Sequence, residues 1–173
     1  TPLAAEEAAE KAAEQIEAEE LELVVSYANS LFSEDCSQFK DAFSYVQFNK
    51  KYQIDDHLIY EILCRAAAYN GFSRWFKQSS DGSFTPVYFP MPELEKNSSG
   101  QFIIAGFRDE NELVNSEFDY ESQTVISVNN WTGSGEASER TEWEFQDGSF
   151  VFSKYLVDET YDGKVNPILV EEE

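Results

Sequence analysis

The sequence predicts an α+β fold, in which one long N-terminal helix is followed by an antiparallel β-sheet, or an open β-barrel or sandwich, of about eight strands. Residues 1–35 are rich in Ala and Glu, lack Gly and carry ten acidic residues against one base, Lys11. From Tyr52 onward, β-branched and aromatic residues alternate with turn signals. The 173 residues are 42% hydrophobic and 15% aromatic, which suffices for one domain core. We therefore expect an acidic helix or spacer over residues 1–35 and a single β-rich domain over residues 36–173.

The N-terminal helix is expected over about residues 4–32. Its second half has apolar residues at helical spacing, which form one face that docks on the domain; these are Leu21, Val24, Val25, Ala28, Leu31 and Phe32. Its first half should be solvated, because Ile16 is nearly its only large apolar side chain. That half is either a spacer between an anchor and the domain or simply a solvated helical face. Residues 36–51 favour a short helix, although Tyr45–Phe48 would also suit the start of a strand.

The β region divides into eight predicted strands, separated by turn residues. Asp81-Gly82 and Asp147-Gly148 are strong hairpin signals, and residues 120–122 join a further hairpin. Alternating polar and apolar residues in several strands indicate that one face of the sheet is buried and the other is solvent-exposed, as in antiparallel sheets. Pro90-Met91-Pro92 and Asn97–Gly100 are predicted to be loops. The predicted strands cover residues 57–65, 71–78, 84–89, 101–107, 113–119, 123–130, 140–146 and 149–156.

The net charge of the chain argues against several classes of function. Twelve basic residues against 34 acidic ones give a formal net charge of −22. This excess argues against a nucleic-acid binder, which needs clustered Lys and Arg, and against docking on anionic lipid. No apolar run approaches the length of a transmembrane helix. One His and two Cys leave nearly all zinc sites without ligands, so we expect no metal and no cofactor.

One stretch of sequence resembles a known family. The strand 52–63, followed by Cys64-Arg65-Ala66-Ala67-Ala68-Tyr69-Asn70, is similar to a hallmark of family 1176 of the domains of unknown function. The resemblance continues through Phe89-Pro90, residues 112–119, the Gly133-Ser134-Gly135 loop and the Trp-containing hairpin of residues 142–150. It covers about residues 52–156, and the order of these blocks is its most specific feature.

The resemblance implies a bacterial envelope protein that is normally made with a signal peptide, and it carries no established activity. It therefore implies a periplasmic or envelope-associated location, and a lipid anchor upstream of residue 1 is compatible with it. Many members have a Cys after the Gly-x-Gly loop, where this chain has Glu136-Ala137-Ser138-Glu139-Arg140. A family disulfide that reaches this loop is therefore absent. The acidic helix stands where typical members have their N-terminal half.

Two cysteines in an apparently exported chain predict one disulfide, Cys36–Cys64, between the helical region and the first strand. The alternative is two buried free thiols in a cytosolic protein. A nucleophilic cysteine is disfavoured, because His57 is the only imidazole in the chain. His57 itself follows two aspartates, yet such a residue is more often a half-exposed strand residue than a catalytic base.

Acidic residues are abundant enough for pairs to arise by chance. Glu142 and Glu144 share one face of a strand, and Glu136 and Glu139 lie near the Gly loop. A glycosidase needs two carboxyl groups across a sugar cleft, which a sequence cannot show. Acidic and amide side chains around Gly163 have the chemistry of calcium ligands but not the EF-hand spacing; they are Asp158, Glu159, Asp162 and Asn166.

Most aromatic residues are expected in the core, and Trp143 belongs there. Trp131 differs, because it precedes a Gly-containing loop, where exposed aromatics often serve in binding. A structural Trp is the alternative. The predicted binding residues combine this loop with the end of the family motif; they are Trp131, Gly133, Gly135, Glu136, Arg140, Tyr69 and Asn70.

These features together predict a non-enzymatic envelope or periplasmic binding protein. Its partner is expected to be a protein, in one version a cationic one, since opposite fields speed association. An inhibitor or immunity-type protein against a cell-wall enzyme is one form of this hypothesis. The alternative is an acidic-cleft or calcium-dependent enzyme acting on glycans, and the charge could also serve only solubility.

Overall fold

The computed structural model describes residues 14–38, 49–134, 136–160, 163–164 and 166–172. In this part of the chain, antiparallel strands dominate. In chain order, the elements are β1 (Glu14–Gln15), α1 (Ala18–Phe32), β2 (Lys50–Ile54), β3 (His57–Ala66), β4 (Gly71–Gln78), β5 (Phe84–Pro86), β6 (Phe89–Lys96), β7 (Phe102–Glu110), β8 (Glu112–Val114), β9 (Ser116–Asp119), β10 (Thr124–Asn130), β11 (Ser138–Gln146), β12 (Ser149–Asp158) and β13 (Ile168–Leu169).

The predicted α+β class with a long helix is wrong. The helix α1 has 15 residues and begins only at Ala18. Just before it, Glu14–Gln15 pair with β2 as a short antiparallel strand, and Ile16 is buried against the sheet. The high helix propensity of Ala and Glu predicted an uninterrupted helix, but strand pairing and the burial of Ile16 override that weak preference. The earlier part of the predicted helix, residues 1–13, lies outside the described residues.

The docked half of the helix is confirmed. Leu21, Val24, Val25 and Ala28 are buried as the spacing predicts, whereas Leu31 is exposed. The helix ends at Ser33, whose backbone has the left-handed conformation common after a last turn (φ 52°). This apolar face packs on one side of a sheet against residues of β3 and β4. Polar contacts at its margin include an ion pair of 3.2 Å between Glu20 and Lys51.

Two sheets pack face to face. The first sheet has the order β1–β2–β3–β4–β5, with β8 also paired to β4, and the second sheet has the order β13–β12–β11–β10–β9. Their facing sides share one aromatic core, in which Trp75 stacks on Tyr52 with ring centroids 5.6 Å apart and Trp143 is fully buried. The expectation of antiparallel sheets is thus confirmed, and so is the core position of Trp143.

A separate ribbon, β6–β7, packs against β12. Pro90 and Pro92 lie inside β6, where the sequence predicted a loop. A central strand is hydrogen-bonded to a neighbouring strand on each side, and proline has no N–H to donate to either neighbour. Because β6 is paired only with β7 within the described residues, the two prolines are tolerated there.

The eight predicted strands all overlap observed strands, but two are interrupted. Predicted strand 84–89 ends early at Pro86, and predicted strand 113–119 is divided at Asn115, which has a φ of 43°. The Asp147-Gly148 hairpin is confirmed, with both residues at positive φ. The helix predicted over residues 36–51 falls mostly on residues 39–48, outside the described residues, and Lys50 at its end already belongs to β2.

Candidate functional site

The predicted disulfide is present. Cys36, in the turn after α1, is bonded to Cys64 near the end of β3, and both are buried. The bond therefore fastens the helix end to the strand on which it packs. Gln38 reinforces this link, because its side-chain amide donates a hydrogen bond of 2.7 Å to the Cys64 carbonyl. Bonded sulfurs are neither nucleophiles nor thiolate ligands, so the pair has a structural role.

Four of the predicted binding residues lie together. We call the meeting point of the β3–β4 loop (residues 67–70) and the start of the β10–β11 loop (residues 131–134) the loop junction. The Asn70 side chain ties the first loop to the last residue of β10, by accepting from the Asn130 N–H at 3.1 Å and donating to the Asn130 carbonyl at 2.9 Å. The Tyr69 hydroxyl donates to the Trp131 carbonyl at 3.4 Å. Gly133 lies next to Tyr69, since a Cβ at this position would be in ordinary van der Waals contact with the Tyr69 ring, 3.6 Å away.

The Asn115 side chain stabilises the loop junction by three hydrogen bonds. Its side-chain amide donates to Asn70 Oδ1 at 2.6 Å and to the Val128 carbonyl at 2.9 Å, and its Oδ1 accepts from the Gly71 N–H at 2.8 Å. Asparagine tolerates the left-handed backbone found at this position. With these bonds made, the loop junction is fixed before any ligand arrives.

The remaining predicted binding residues are placed elsewhere or not described. Gly135 lies outside the described residues. Glu136 accepts a hydrogen bond of 2.7 Å from the Gly163 N–H and so ties its loop to the segment after β12. Arg140 is exposed on β11, beside Glu142 at 3.6 Å. Within the loop junction itself, the Trp131 side chain is half-buried against the apolar cluster of the β6–β7 ribbon and β12. Binding by any of these residues stays a prediction.

A cavity of about 500 Å³ opens beside the loop junction. We call it the Glu61 cavity. Tyr69 and Asn70 belong to its lining, so the end of the family motif borders both features. The other lining residues come from β2, β3, β4, β9 and the connections between strands; they are Lys50, Glu61, Leu63, Ala66, Ala67, Ala68, Gly71, Ser73, Asn115, Ser116 and Glu117.

Glu61 is the unusual group of this cavity. Its side chain lies in the middle of β3 on the face toward the second sheet, and the residue is only 3% exposed. Its carboxylate accepts from the Tyr52 hydroxyl at 2.7 Å and from the Ser116 hydroxyl at 3.0 Å. Burial raises the pKa of Glu61 to about 7, although both hydrogen bonds and the charge of Lys50 act in the opposite direction. The pKa of the Tyr52 hydroxyl is raised by burial and by the neighbouring carboxylate.

Glu61 is not among the residues that the sequence predicted for the site. The available signal was a single acidic residue inside the otherwise apolar run Leu58–Leu63. A charge within a strand that is buried on both faces must find partners or change its pKa. That signal marks Glu61 but not its partners, because Tyr52 and Ser116 lie on other strands.

The other chemical candidates lie outside the Glu61 cavity. His57 is at the far end of β3, 3.4 Å from the Asp56 carboxylate and edge-on to the Phe145 ring. Asp158 accepts hydrogen bonds from the Thr160 hydroxyl at 2.6 Å, the Asn166 N–H at 2.6 Å and the Thr160 N–H at 3.0 Å. These bonds, the one from the Thr160 hydroxyl most of all, lower the pKa of its carboxyl. Asp158 thus stabilises the segment that follows β12. Asp162 of the proposed calcium set lies outside the described residues.

The family is shown by comparison of the whole sequence. The family model described as "Protein of unknown function (DUF1176)" matches residues 2–164. The chain belongs to the DUF1176 family. The match extends well beyond the motifs at residues 52–156 and includes the N-terminal region, which lies outside the resemblance carried by those motifs. Neither a search of curated proteins nor a search of solved structures found a match.

In this DUF1176 chain, one motif supplies several parts of the site. Cys64 forms the disulfide, Ala66–Ala68 line the Glu61 cavity, and Tyr69 and Asn70 form half of the loop junction. Within the described ranges, no helix has both the length and the apolar character needed to cross a bilayer.

Proposed function

We propose that this DUF1176 protein is a non-enzymatic binding protein of the bacterial cell envelope, and that it binds a cationic protein at the loop junction. The observation that carries the proposal is an exposed aromatic on a rigid base. Tyr69 is 47% exposed, while the loop under it is held by the amide hydrogen bonds of Asn70 and Asn115. A site that is ordered before binding loses little conformational entropy, and tyrosine is favoured among residues that dominate interface energy.

Two further observations support the compartment and the partner. The Cys36–Cys64 disulfide suits an oxidising compartment such as the periplasm. The net charge of −22 favours encounter with a cationic surface. An inhibitor or immunity-type role against a cell-wall enzyme is the specific form of the proposal that these features favour.

The proposal is tested by capture from an envelope extract with matched variants. Immobilised wild-type protein should retain a basic protein whose binding weakens steeply as the salt concentration rises. Tyr69→Ser should lose this partner, whereas Tyr88→Ser should keep it, because Tyr88 is equally exposed (49%) but lies between β5 and β6, outside the loop junction. Equal retention by both variants would contradict a binding role for the loop junction.

A glycan-acting enzyme is the second candidate. One observation favours it, since Glu61, with its raised pKa, and Glu117 line the same cavity. A proton donor and a second carboxylate are the minimal set of a glycosidase. Incubation with peptidoglycan and with chitin oligosaccharides tests this candidate. New reducing ends formed by the wild type but not by Glu61→Gln would favour the enzyme over the binding protein.

A further inference from the structure

The Glu61 carboxylate is buried and forms no ion pair with the residues that the structure describes, although the charge of Lys50 acts on it from the cavity wall. Its two hydrogen-bond donors, Tyr52 and Ser116, are neutral hydroxyls. In the described part of the chain, no Lys, Arg or His nitrogen lies within ion-pair distance of it. Burying a carboxylate in this way is unfavourable unless a counter-charge compensates it. Such a carboxyl group either keeps its proton, as the raised pKa of Glu61 indicates, or pairs with a cation from outside when it ionises.

The charges around the cavity leave room for one positive charge. Lys50 is the strand partner of Glu61 on β2 and lines the cavity, and Glu117 lines it from β9. From the other elements, β4 contributes Ser73 and β2 also contributes the neutral Tyr52 hydroxyl. When Glu61 is ionised, the two carboxylates and one ammonium group leave a net charge of −1.

The hydrogen-bond acceptors of the Glu61 cavity that are still free suit a small cationic donor. A carboxylate has about four lone-pair sites, of which two are used by Tyr52 and Ser116. The Ser73 hydroxyl has no hydrogen-bond partner among the described residues, and Ser73 is buried and lines the same cavity. The Glu61 carboxylate and the Ser73 hydroxyl are both acceptors on the cavity wall, and a primary ammonium group is a compact donor with three N–H groups. A guanidinium has five donors and would leave some of them buried and unpaired.

The wall of the cavity suits an alkyl chain. Leu63 and the three alanines Ala66–Ala68 form its apolar part. A flexible aliphatic stem packs on such a surface while its charged end reaches a polar group. The volume of about 500 Å³ holds one such chain with space to spare.

We propose that the Glu61 cavity binds a primary ammonium group on an alkyl chain, with the Glu61 carboxylate as its counter-ion. Two sources share this chemistry, a lysine side chain of a bound protein and a free alkylamine. That the source is a lysine of the cationic partner rests on the proposed function, whereas the preference for an ammonium group does not.

Binding should depend on pH, because only the ionised Glu61 pairs with the ammonium group. With a carboxyl pKa of about 7 in the free protein, affinity should rise about tenfold between pH 6 and pH 8. Lys50 and Glu117 are the charged groups facing Glu61 from β2 and β9, and the Tyr52 hydroxyl stays protonated in this range because its pKa is raised.

The test uses the intact wild-type chain and two isosteric probes, n-butylammonium and n-butanol, titrated at pH 6 and pH 8 by NMR or calorimetry. The ammonium probe should bind, with about tenfold higher affinity at pH 8, and the alcohol should bind at least tenfold more weakly. This comparison needs no variant. Glu61→Gln should abolish the preference for the ammonium probe, and Glu144→Gln, on the exposed side of β11, should retain it. Equal binding of the two probes, or an affinity independent of pH, would overturn the inference.

A second arm separates this inference from the proposed function. A lysine-containing peptide is compared with the same peptide carrying norleucine, and the partner captured from the envelope extract is tested against Glu61→Gln. Binding of butylammonium without binding of the lysine peptide or the partner supports the cavity and contradicts the lysine source. Unchanged binding of the partner by Glu61→Gln supports the proposed function and contradicts a role of the cavity in it.

Discussion

The Tyr52 hydroxyl donates a hydrogen bond of 2.7 Å to the Glu61 carboxylate between the two sheets. Tyr52 lies on β2 and Glu61 on β3, and the Phe118 N–H of β9 approaches the same hydroxyl at 3.4 Å. Through the Phe118 N–H, the Tyr52–Glu61 pair of the first sheet is therefore joined to the second sheet. This connection also means that the protonation state of Glu61 is linked to the packing of the two sheets.

The first prediction concerns the pH dependence of stability. The folded-state pKa of Glu61 is raised from 4.5 to about 7, so the native state holds this proton more tightly than the unfolded chain. The resulting stabilisation is fully present below about pH 4.5 and is lost as the pH rises through 7. Between pH 5 and pH 8, the wild type should lose about 2–3 kcal/mol of unfolding free energy relative to Glu61→Gln, as measured by urea unfolding. Parallel pH profiles for the two proteins would contradict the buried, raised carboxyl.

The second prediction concerns the disulfide. Cys36 and Cys64 are 28 residues apart, and closing a loop of this size stabilises the fold by about 3–4 kcal/mol in the chain-entropy model. Cys36→Ala/Cys64→Ala should lose about this amount in denaturant unfolding. Wild-type protein under reducing conditions provides the control and should approach the double variant. If reduction leaves the unfolding midpoint unchanged, the bond does not hold α1 on the sheet.

The third prediction tests the segment before α1. Ile16 is buried with the helix face, so Ile16→Ala should destabilise the protein by about 2–4 kcal/mol. Leu23→Ala is the matched control, because Leu23 is 63% exposed on the same helix and should change stability by less than about 0.5 kcal/mol. Thermal or urea unfolding of both variants decides the point. Similar small effects would show that the segment is dispensable, as its composition suggested.

The sequence predicted correctly those elements that depend on residues close together in the chain. The helical spacing of Leu21, Val24 and Ala28 identified the docked face, and Asp147-Gly148 identified a hairpin. The start of the helix was wrong, because composition reports intrinsic propensity while β1 depends on pairing with Lys50–Lys51, far along the chain. The two prolines of β6 predicted a loop, because proline is disfavoured in central strands. β6 is a strand nonetheless, since a strand paired on one side tolerates proline.

The site was predictable only in part. The family motif and the Gly loop pointed to Tyr69, Asn70, Trp131 and Gly133, and the structure brings these four together. The Glu61 cavity was not predicted, because its walls come from strands that are distant in sequence. No spacing rule relates Glu61 to Ser116, yet these side chains are 3.0 Å apart.

The fourth prediction compares two tryptophans. Trp143 is fully buried, and its indole N–H donates to the Pro90 carbonyl at 2.9 Å, so Trp143→Ala should cost about 3–5 kcal/mol. Trp131 is half-buried within the loop junction, and Trp131→Ala should cost about 1–2 kcal/mol while weakening partner binding. Unfolding and binding are measured on the same samples. A loss of stability in Trp131→Ala equal to that in Trp143→Ala would make this loop structural.

The most direct measurement is an NMR titration of the Glu61 side-chain carboxyl carbon from pH 4 to pH 9, without and with n-butylammonium. We expect a midpoint near 7 in the free protein, because burial raises the pKa of this group, and a lower midpoint when the ammonium group is bound, because an opposite charge favours the carboxylate. A midpoint near 4.5 that the amine does not change would contradict both the buried carboxyl and the cation site built on it.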